Sequence, residues 1–420
     1  MRITEKLLDD TVAATAEMLT FRQAADTVLS NVFRARHTGS QERAFVANTA
    51  YAVLRRKRWL EALIGDAGAA TPLHLVLACL VRLLGVSQRQ LADAIPDDRL
   101  MAWVSALKAR PEPALSLGEQ TDFPDWLVTR LSARLSEAEL LTLARSLNQS
   151  APLDLRVNTL KANREAVIGQ LAAEGLHAEP CPYAPAGIRL KTKPALARHP
   201  LFLNGEIEVQ DEGSQLLGYL LGPKRGEMVV DFCAGAGGKT LLLGAMMRST
   251  GRLYAFEVAE KRLAKMKPRL ARAGLSNVHP VRITSEQDIH VKRLAGKIDR
   301  VLVDAPCSGL GTLRRNPDLK WRQTEASIAE LVRKQADILA SASRLVKAGG
   351  RLVYATCSIL PEENEAIVSA FLASHPDFSV LPAQEILAGQ GITIDTGEFL
   401  RLSPHIHQTD GFFAAALIRR

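Results

Sequence analysis

Apolar residues recur at helical spacing through the first third of the chain and show no strand-like alternation there. One apolar stripe, typical of a single helix, consists of Phe21, Ala24, Ala25, Val28, Leu29 and Val32. Further helices are predicted over about 41–63, 72–91 and 124–147, and a proline-rich loop at 110–113 precedes the last of them. The pattern predicts an all-helical domain over residues 1–140.

The pattern changes near Pro152. Residues 153–158 alternate like a strand, residues 163–174 have helical spacing, and residues 187–190 are extended again. A small α+β module over residues 150–205 fits this order. Such sheets often bind RNA, but the aromatic pair that stacks bases is missing here. The module is therefore expected to position RNA rather than to read its bases.

Beyond residue 206, apolar runs alternate with helical segments, which is typical of a doubly wound parallel sheet. Strands are predicted over 228–231, 252–257, 279–283, 300–304 and 350–355. The predicted fold is therefore a multidomain chain. It combines an all-α N-terminal domain, a small α+β module and an α/β doubly wound, Rossmann-like domain over residues 206–420.

A glycine-rich loop follows the first of these strands and consists of Cys233, Ala234, Gly235, Ala236, Gly237, Gly238 and Lys239. Glycines there let a ligand approach the backbone at a helix N-terminus. A Walker loop needs glycine in place of Cys233, and a dinucleotide fingerprint needs glycine in place of Thr240, so both patterns fail. Glu257 ends the next strand, where a carboxylate can accept both ribose hydroxyls of an adenosine. A ribose site without a pyrophosphate site indicates S-adenosylmethionine as the cofactor.

The composition favours a polyanionic partner. The 420 residues include 53 Lys and Arg against 45 Asp and Glu, a net charge of +8, and cations that neutralise phosphates gain affinity by releasing counterions. The five cysteines have no regular spacing and no CxxC or His-rich cluster, so neither disulfides nor a metal site is expected. No apolar stretch approaches the roughly 20 residues of a membrane span. We expect a cytoplasmic monomer with reduced thiols and no membrane partner.

Two of the cysteines follow apolar runs that look like buried strands. Cys307 lies in the sequence Val-Asp-Ala-Pro-Cys-Ser-Gly and Cys357 in Tyr-Ala-Thr-Cys-Ser. Ligands bind at the carboxyl ends of the strands in doubly wound sheets, so both thiols should face the ligand crevice. Free cysteines are commonly buried and inert, and we assign that role to Cys79 and Cys181. For Cys307 and Cys357 we predict a paired-thiol active site.

Four segments together resemble the RNA cytosine-C5 methyltransferases: Asp-Ala-Pro-Cys-Ser-Gly at 304–309, Thr-Cys-Ser at 356–358, the glycine loop, and the segment 311–321. The segments 209–215 and 410–413 add to the resemblance, which covers about residues 152–420. The helical region resembles a NusB-like RNA-binding domain through residues 42–46 and 53–56. The resemblance implies a methyltransferase acting on RNA, with small-subunit ribosomal RNA as the substrate and transfer RNA as the alternative.

The resemblance also implies roles for three residues. Cytosine C5 is a poor nucleophile until a thiolate adds at C6, and the family pattern makes Cys357 that thiolate. After methyl transfer a base must remove the proton from C5 before the sulfur can leave, and Cys307 is expected to assist this removal and release. Asp304 is expected to hydrogen-bond the N3 edge of the base as C6 is attacked.

The remaining candidates belong to the cofactor and RNA sites. Besides Asp304, cofactor contacts are expected from Lys239, which can meet the cofactor carboxylate or an active-site anion, and from Asp288 at the adenine amino group. Arg262 is expected near the ribose, and the segment 283–288 departs from the Gly-Asp usual in the family. Four cations near Cys307 are predicted to bind phosphates around a base pulled from its stack, with Asp318 as an internal partner for one of them: Arg314, Arg315, Lys320 and Arg322.

Two other functions stay open on the residues alone. A P-loop nucleotide hydrolase would use Lys239, and Asp304 on magnesium, although the glycine at 233 is missing. A non-catalytic RNA-binding assembly factor would rely on the helical region, although Cys307, Cys357 and Asp304 are all present. Binding of the methyl donor, of a magnesium nucleotide or of neither would separate the three functions.

Overall fold

The computed structural model of the chain describes residues 2–65 and 70–420. It divides into two compact units. The helical unit comprises Met1–Ser150 and Thr312–Glu325, and the sheet unit comprises Ala151–Gly311 and Ala326–Arg420. Within the predicted helical domain, residue 1 and residues 66–69 lie outside the described residues. The multidomain fold class is confirmed, whereas the boundaries 1–140, 150–205 and 206–420 stay a prediction.

The helical unit is built from short helices with clear start signals. Ser87, Ser116 and Ser136 each begin a helix with a capping box, in which a Gln or Glu three residues later bonds back to the serine. A π-helical turn, Cys79–Leu83, continues the helix that begins at Pro72. The α-helices are Glu5–Met18, Ala25–Ala35, Ser40–Arg55, Lys57–Ile64, Pro72–Ala78, Gln88–Leu91, Asp98–Ala109, Leu117–Thr121, Asp125–Ser132, Glu137–Leu147 and Leu319–Arg322.

The long predicted helices are interrupted in the structure. The helix predicted over 41–63 is two helices, because the backbone leaves helical geometry at Arg56, with φ −114° and ψ 27°. The helix predicted over 124–147 stops at Ser132 and starts again after the cap at Ser136. Phe21 precedes its helix and has a φ of 54°. Apolar spacing does not reveal such breaks, because the apolar face continues across them.

The sheet unit begins with an antiparallel sheet of four strands: β1 Leu153–Val157, β2 Ala178–Pro180, β3 Gly187–Leu190 and β4 Ile207–Val209. Their order is β2-β3-β1-β4. The helix Arg164–Ala173 begins after Asn163, whose side chain accepts a hydrogen bond from the amide of Ala166. Val167 and Leu171 of this helix pack in the core of the small sheet.

The second sheet has eight strands: β5 Met228–Asp231, β6 Arg252–Glu257, β7 Val278–Arg282, β8 Ile298–Asp304, β9 Val346–Thr356, β10 Phe378–Leu381, β11 Leu400–Leu402 and β12 Phe412–Arg419. The order is β10-β12-β9-β8-β5-β6-β7, and β11 pairs with β12. The strands β5 to β9 are parallel, as predicted. The strand β12 runs antiparallel to β9 and β10, and the sequence analysis missed these C-terminal strands. The sheet is therefore mixed rather than purely parallel.

Helices cover both faces of this sheet, so each face has its own apolar core. Successive residues of a strand point into different cores. On β5, Val229 belongs to one apolar cluster and Val230 to the other. The α-helices that follow β4 are Glu212–Leu221, Gly238–Met246, Glu260–Ala273, Ile289–Lys292, Glu325–Ser343, Glu365–Ser374, Ala383–Ala388 and Pro404–His407, and Pro200–Leu203 precedes β4. Within residues 2–65 and 70–420, no helix is long and apolar enough to cross a membrane.

Candidate active site

The two predicted thiols lie side by side where two neighbouring parallel strands end. Cys307 follows β8 and Cys357 follows β9, and these strands pair in register. The two sulfur atoms are 3.3 Å apart, and the amide of Cys357 donates to the sulfur of Cys307, also at 3.3 Å. Both are free, half-buried cysteines. One substrate can therefore reach both sulfur atoms.

The environment of Cys307 favours its protonated form. The hydrogen bond to Cys357 is the largest cause, and burial and the negative charges of Cys357, Glu363 and Asp304 act in the same direction. Together they hold the pKa of the Cys307 thiol well above its ordinary value. This environment therefore opposes ionisation of the Cys307 thiol.

A buried carboxylate joins the two cysteine loops. Glu363 is fully buried and accepts hydrogen bonds from the amide and hydroxyl of Ser308, at 2.8 and 2.5 Å, and from the hydroxyl of Ser358. Gln335 donates to the same carboxylate at 2.9 Å and to the carbonyl of Pro306 at 3.0 Å. The residue after each cysteine is thus bound to one side chain. No role was predicted for this glutamate from the sequence, although the acidic run after the second cysteine was an available signal.

Lys239 and Asp304 form an ion pair at the end of β8. The ammonium lies 2.6 Å from Oδ2 of Asp304 and 5.7 Å from the ring centre of Phe412. Burial lowers the pKa of Lys239, but the Asp304 carboxylate outweighs burial and the net shift is upward. Lys239 is therefore charged and meets an active-site anion, one of its two predicted partners.

The glycine loop has the open geometry that a cofactor requires. Gly235 has a φ of +57°, and a Cβ added there would meet nothing within 4 Å, so its surface is free for a ligand. Gly237 has a φ of +89°, and a Cβ there would lie 2.7 Å from Met266. Both positions need glycine, the first for access and the second for packing.

Two arginines hold this loop from outside. Arg156 of β1 donates to the carbonyl of Gly238 at 2.8 Å, and Arg269 donates to the carbonyl of Ala236 at 2.7 Å. The amide of Ala234 bonds to the carbonyl of Phe256, 2.9 Å away. The small sheet therefore contributes directly to the shape of the loop. The sequence analysis missed both arginines, because they are distant from the loop in sequence.

Glu257 lies where the sequence analysis placed it, at the end of β6. Its two oxygens accept from the amides of Gly235 and Ala259, both at 2.8 Å. A carboxylate offers about four lone-pair positions, so hydroxyl donors can still bind. Arg262, on the following helix, is exposed, and its contact with the ribose stays a prediction.

Asp288 has a local structural role in the turn before its helix. Its carboxylate accepts from the amides of His290 and Thr284, both at 2.9 Å, and bonds their side chains as well. These bonds, the His290 amide foremost, lower the pKa of Asp288. An adenine contact by Asp288 stays a prediction.

Asp231 ends β5 beneath the glycine loop and is almost fully buried. Its Oδ2 accepts from the hydroxyl of Thr240 at 2.7 Å, whereas its Oδ1 has no hydrogen-bond partner among the described residues. Burial raises the pKa of Asp231 to about 7. The loop therefore stands over a carboxyl group that titrates near neutral pH.

The other three cysteines are in environments that favour the thiol. Cys79 and Cys181 are buried, as expected, and burial raises the pKa of Cys79 to about 12. Burial is also the largest cause that raises the pKa of Cys181 and of Cys233. Thiols of this kind are poor nucleophiles. In the glycine loop Cys233 is a small, unreactive residue.

The predicted RNA-binding cations belong to the helical unit, whose second segment is Thr312–Glu325. Lys320 is fully buried, so the prediction that it grips a phosphate is wrong. Its ammonium donates to the carbonyl of Arg55 and to Asn148. Arg314 is also buried, at 6% exposure.

The other two predicted cations are more accessible. Arg322 is exposed, and its side chain lies 3.3 Å from Asp318. Asp318 was predicted as an internal ion-pair partner for one of the four cations. Arg315 is half-buried. Phosphate contacts by Arg315 and Arg322 stay a prediction.

The parallel strands β5 to β9, the glycine loop beside a strand-end carboxylate and the two thiols after β8 and β9 define a methyltransferase of Rossmann-like fold that uses S-adenosylmethionine. Residues 218–418 match the family described as 16S rRNA methyltransferase RsmB/F, and residues 123–197 match the ferredoxin-like domain of the same proteins. The chain belongs to the RsmB/F family of RNA methyltransferases. This membership decides against the P-loop hydrolase and the non-catalytic assembly factor.

Relatives in several bacteria match most of the chain. The chain is 35% identical to the probable ribosomal RNA small subunit methyltransferase B of Synechocystis, over 93% of this chain and 94% of the relative. A relative with the same description in Bacillus subtilis is 33% identical over 76% of this chain and 71% of its own length. The ribosomal RNA small subunit methyltransferase B of Sodalis glossinidius is 37% identical, with 74% and 70% covered.

Solved structures show the same fold. The crystal structure of PH0851 covers 100% of both chains with a TM-score of 0.81 and 28% identity. A methyltransferase homologue from Pyrococcus horikoshii covers 72% of this chain and 98% of its own, with a TM-score of 0.62 and 30% identity.

Among the residues that the structure describes, no cluster of His, Cys, Asp or Glu could hold a metal ion.

Proposed function

We propose that this protein transfers a methyl group from S-adenosylmethionine to C5 of a cytosine in structured RNA, through a covalent bond between a cysteine sulfur and C6. The single observation that carries the proposal is the pair of sulfur atoms, 3.3 Å apart after neighbouring strands. Two such groups side by side can serve a reaction that adds a sulfur at one ring carbon and removes a proton from the next.

In the proposed reaction Cys357 is the nucleophile. Its sulfur bonds to C6, and the electron pair of the C5–C6 double bond makes C5 nucleophilic. S-adenosylmethionine supplies the electrophilic methyl group that C5 takes. A base then removes the C5 proton, the pair left behind restores the double bond, and the sulfur leaves C6 as a thiolate.

The environment of Cys307 supports an order for these steps. The pKa of Cys307 is raised first by the hydrogen bond to the sulfur of Cys357, then by burial, and then by the charges of Cys357, Glu363 and Asp304. When Cys357 is bonded to C6 as a neutral thioether, its hydrogen bond and its charge no longer raise the pKa of Cys307, so Cys307 gives up its proton more readily. Cys307 then becomes a base at the stage when the C5 proton must be removed.

Asp304 and Lys239 are proposed to face the base and the cofactor. Asp304 is the last residue of β8, three residues before Cys307. Its carboxylate would bond the N3 edge of cytosine while Lys239 holds it in place at 2.6 Å. Residues of the glycine loop, from Cys233 to Lys239, would hold the cofactor together with Glu257, Arg262 and Asp288. The open surface at Gly235 fits such a ligand.

Small-subunit ribosomal RNA is the proposed substrate, and the cytoplasm the proposed location. The names of the relatives in Synechocystis and Sodalis support ribosomal RNA. Transfer RNA is the second candidate, because the same catalytic residues would serve both. The helical region, residues 1–140, is proposed as a NusB-like RNA-binding domain.

Methylation with a labelled donor tests the proposal. The purified protein would be incubated with ribosomal RNA and transfer RNA from cells that lack it, and the labelled nucleotide would be identified and mapped. We expect 5-methylcytidine at a defined position of small-subunit RNA. Label in transfer RNA alone would change the substrate, and absence of 5-methylcytidine from every RNA would overturn the proposal.

A further inference from the structure

Glu363 binds both cysteine loops without a cation of its own. Its carboxylate receives the amide and hydroxyl of Ser308, the hydroxyl of Ser358 and the amide group of Gln335. Among the described residues, no Lys or Arg forms an ion pair with it, and it is fully buried. A buried carboxylate that relies on hydrogen bonds alone keeps an uncompensated negative charge near its neighbours.

That charge lies on the side of Cys307. The adjacent residue Ser308 gives the carboxylate both its amide and its hydroxyl, whereas the Cys357 loop gives one hydroxyl. Glu363 and Asp304 are the carboxylates whose charges raise the pKa of Cys307, Cys357 acts in the same direction, and Tyr354 is a further titratable neighbour. Asp304 is neutralised by Lys239, so Glu363 is the carboxylate in this group that has no ion pair.

We propose that Glu363 is a positioning residue of the methyl-transfer site: it sets the two loops in register and keeps Cys307 as a thiol, so that Cys357 is the sulfur that ionises. The inference rests on the proposed roles of the two cysteines. It explains how two similar residues acquire different tasks, because the carboxylate accepts two hydrogen bonds from the residue after Cys307 and one from the residue after Cys357.

Cysteine alkylation tests this division of roles. The intact protein would be treated with iodoacetamide between pH 6 and 10, and the labelling rates of the two cysteine peptides would be measured by mass spectrometry. We expect Cys357 to react first in the unaltered protein. In Glu363→Gln, which keeps size but removes charge, the rate ratio of Cys357 to Cys307 should fall by about tenfold, because one nearby unit charge shifts a pKa by about one unit or more.

Two variants control the experiment. Glu365→Gln removes a charge two residues away, where Glu365 pairs with Arg401, and should leave the ratio unchanged. Glu363→Asp keeps the charge but shortens the reach, so the order of labelling should survive while methylation falls. An unchanged ratio in folded Glu363→Gln overturns the proposal.

The unaltered protein gives a test that does not depend on any variant folding: preferential labelling of Cys307 in it also overturns the proposal. Labelling requires neither RNA nor cofactor. If the protein had no methylation activity, the proposed function would therefore be overturned, independently of the labelling result.

A second inference concerns the helix Glu260–Ala273, which carries an exposed row of cations. The row consists of Lys261, Lys265 and Lys267. None of these three forms an ion pair with a described residue, whereas the half-buried Arg269 and Arg272 both pair with Glu208. The row therefore has no neutralising partner within the described chain.

This arrangement is unfavourable for the isolated helix. Lys261 lies in the first turn, where the helix dipole disfavours positive charge. Lys261 and Lys265 are four residues apart, a spacing at which like charges repel. The apolar side of the helix, with Met266 and Leu270, is buried in the sheet unit. The helix therefore has no exposed apolar face that could insert into a bilayer. The negative charges of a phosphate backbone would relieve the repulsion between the lysines.

We infer that this row is a docking surface for the phosphate backbone of the RNA substrate. The inference rests on RNA as the proposed substrate, but not on cytosine chemistry. Of the four cations that the sequence predicted to bind RNA, Lys320 and Arg314 are buried. The exposed row takes the place of these two as a phosphate-binding surface.

Affinity for transcribed small-subunit ribosomal RNA at several salt concentrations tests the surface. The triple variant Lys261→Gln, Lys265→Gln, Lys267→Gln should bind about tenfold more weakly, with a shallower salt dependence, since each lost phosphate contact reduces the slope by about one. The control triple Lys224→Gln, Lys292→Gln, Lys297→Gln removes three exposed lysines elsewhere in the sheet unit and should have a smaller effect.

If both triple variants reduced RNA affinity equally, the proposed docking surface would be overturned, because net charge alone would then account for binding. Vesicles of phosphatidylglycerol address the membrane alternative. Vesicle binding that is lost in the first triple, with RNA affinity unchanged, would assign the row to a membrane and overturn the inference.

Discussion

Lys239 and Lys320 are both shielded from solvent, yet their pKa values are shifted in opposite directions. The Lys239 side chain is 13% exposed and faces Asp304 at 2.6 Å, and the pKa of Lys239 is raised. Lys320 is fully buried and bonds two neutral oxygens, of Arg55 and Asn148.

For Lys320, burial is the largest influence and lowers its pKa to about 7, although Asp122 opposes the shift. The difference between the two lysines teaches that burial alone does not decide charge: a direct carboxylate partner does. It also separates a site residue from a packing residue, although the sequence indicated ligand contacts for both.

The largest expected effect in this comparison is that of Lys239→Met on catalysis. Without the ammonium, Asp304 loses its partner and its placement, so methylation should fall by about 100-fold or more, in the range of a lost electrostatic contact in an active site. Initial rates with labelled donor measure this, and thermal unfolding checks that the variant is folded. A rate within twofold of the unaltered protein would remove Lys239 from the site.

Lys320→Met should have its effect on stability instead. The substitution leaves the carbonyl of Arg55 and the Asn148 oxygen without their donor, which should cost about 3 kcal/mol in the free energy of unfolding. Urea denaturation measures the loss, and the affinity of the folded protein for S-adenosylmethionine should not change. Reduced cofactor affinity with unchanged stability would show that the two lysines have similar roles after all.

Asp231 extends the comparison to a buried acid. Because its pKa is raised to about 7, the folded state favours the proton, and the stability present below pH 4 is lost as the pH rises through 7. The free energy of unfolding should therefore fall by about 2 kcal/mol more between pH 5 and pH 8 than it does in Asp231→Asn. Urea titrations at the two pH values test this. Equal pH dependence in both proteins would contradict the buried, proton-binding state.

The smallest expected effect is that of Arg322→Gln on stability. Its ion pair with Asp318 is partly exposed, and such pairs contribute about 0.5 kcal/mol. A loss of several kcal/mol in urea denaturation would mean that Arg322 is a packing residue like Lys320. A clear loss of RNA affinity at unchanged stability would instead support its predicted phosphate contact.

The meeting of Cys307 and Cys357 was predictable from the sequence. Each cysteine follows an apolar run that reads as a strand, and the carboxyl ends of parallel strands lie at one edge of a sheet. The local pattern of apolar residues before each cysteine is therefore enough to predict that the two thiols lie close together. The same holds for Glu257, and for Gly235, whose left-handed φ of +57° favours a glycine.

The place of Lys320 was not predictable in this way. Its segment follows Cys307 closely in sequence, but Lys320 bonds the carbonyl of a residue 265 positions earlier. No local periodicity records a contact of that separation. Glu363 was missed for a related reason, since a fully buried carboxylate in an acidic run has the sequence appearance of a solvated turn. The C-terminal strand β12 was missed because a continuous apolar run does not distinguish strand from helix.

The central claim is that Cys357 attacks the base and Cys307 releases it. Incubation of Cys307→Ala with RNA and S-adenosylmethionine, followed by nuclease digestion and peptide mass spectrometry, tests it most directly. The account predicts a methylated nucleotide bonded to the peptide that contains Cys357, and no such adduct in Cys357→Ala, which should also have no methylation activity. An adduct on Cys307 in the Cys357→Ala protein would contradict the account and exchange the two roles.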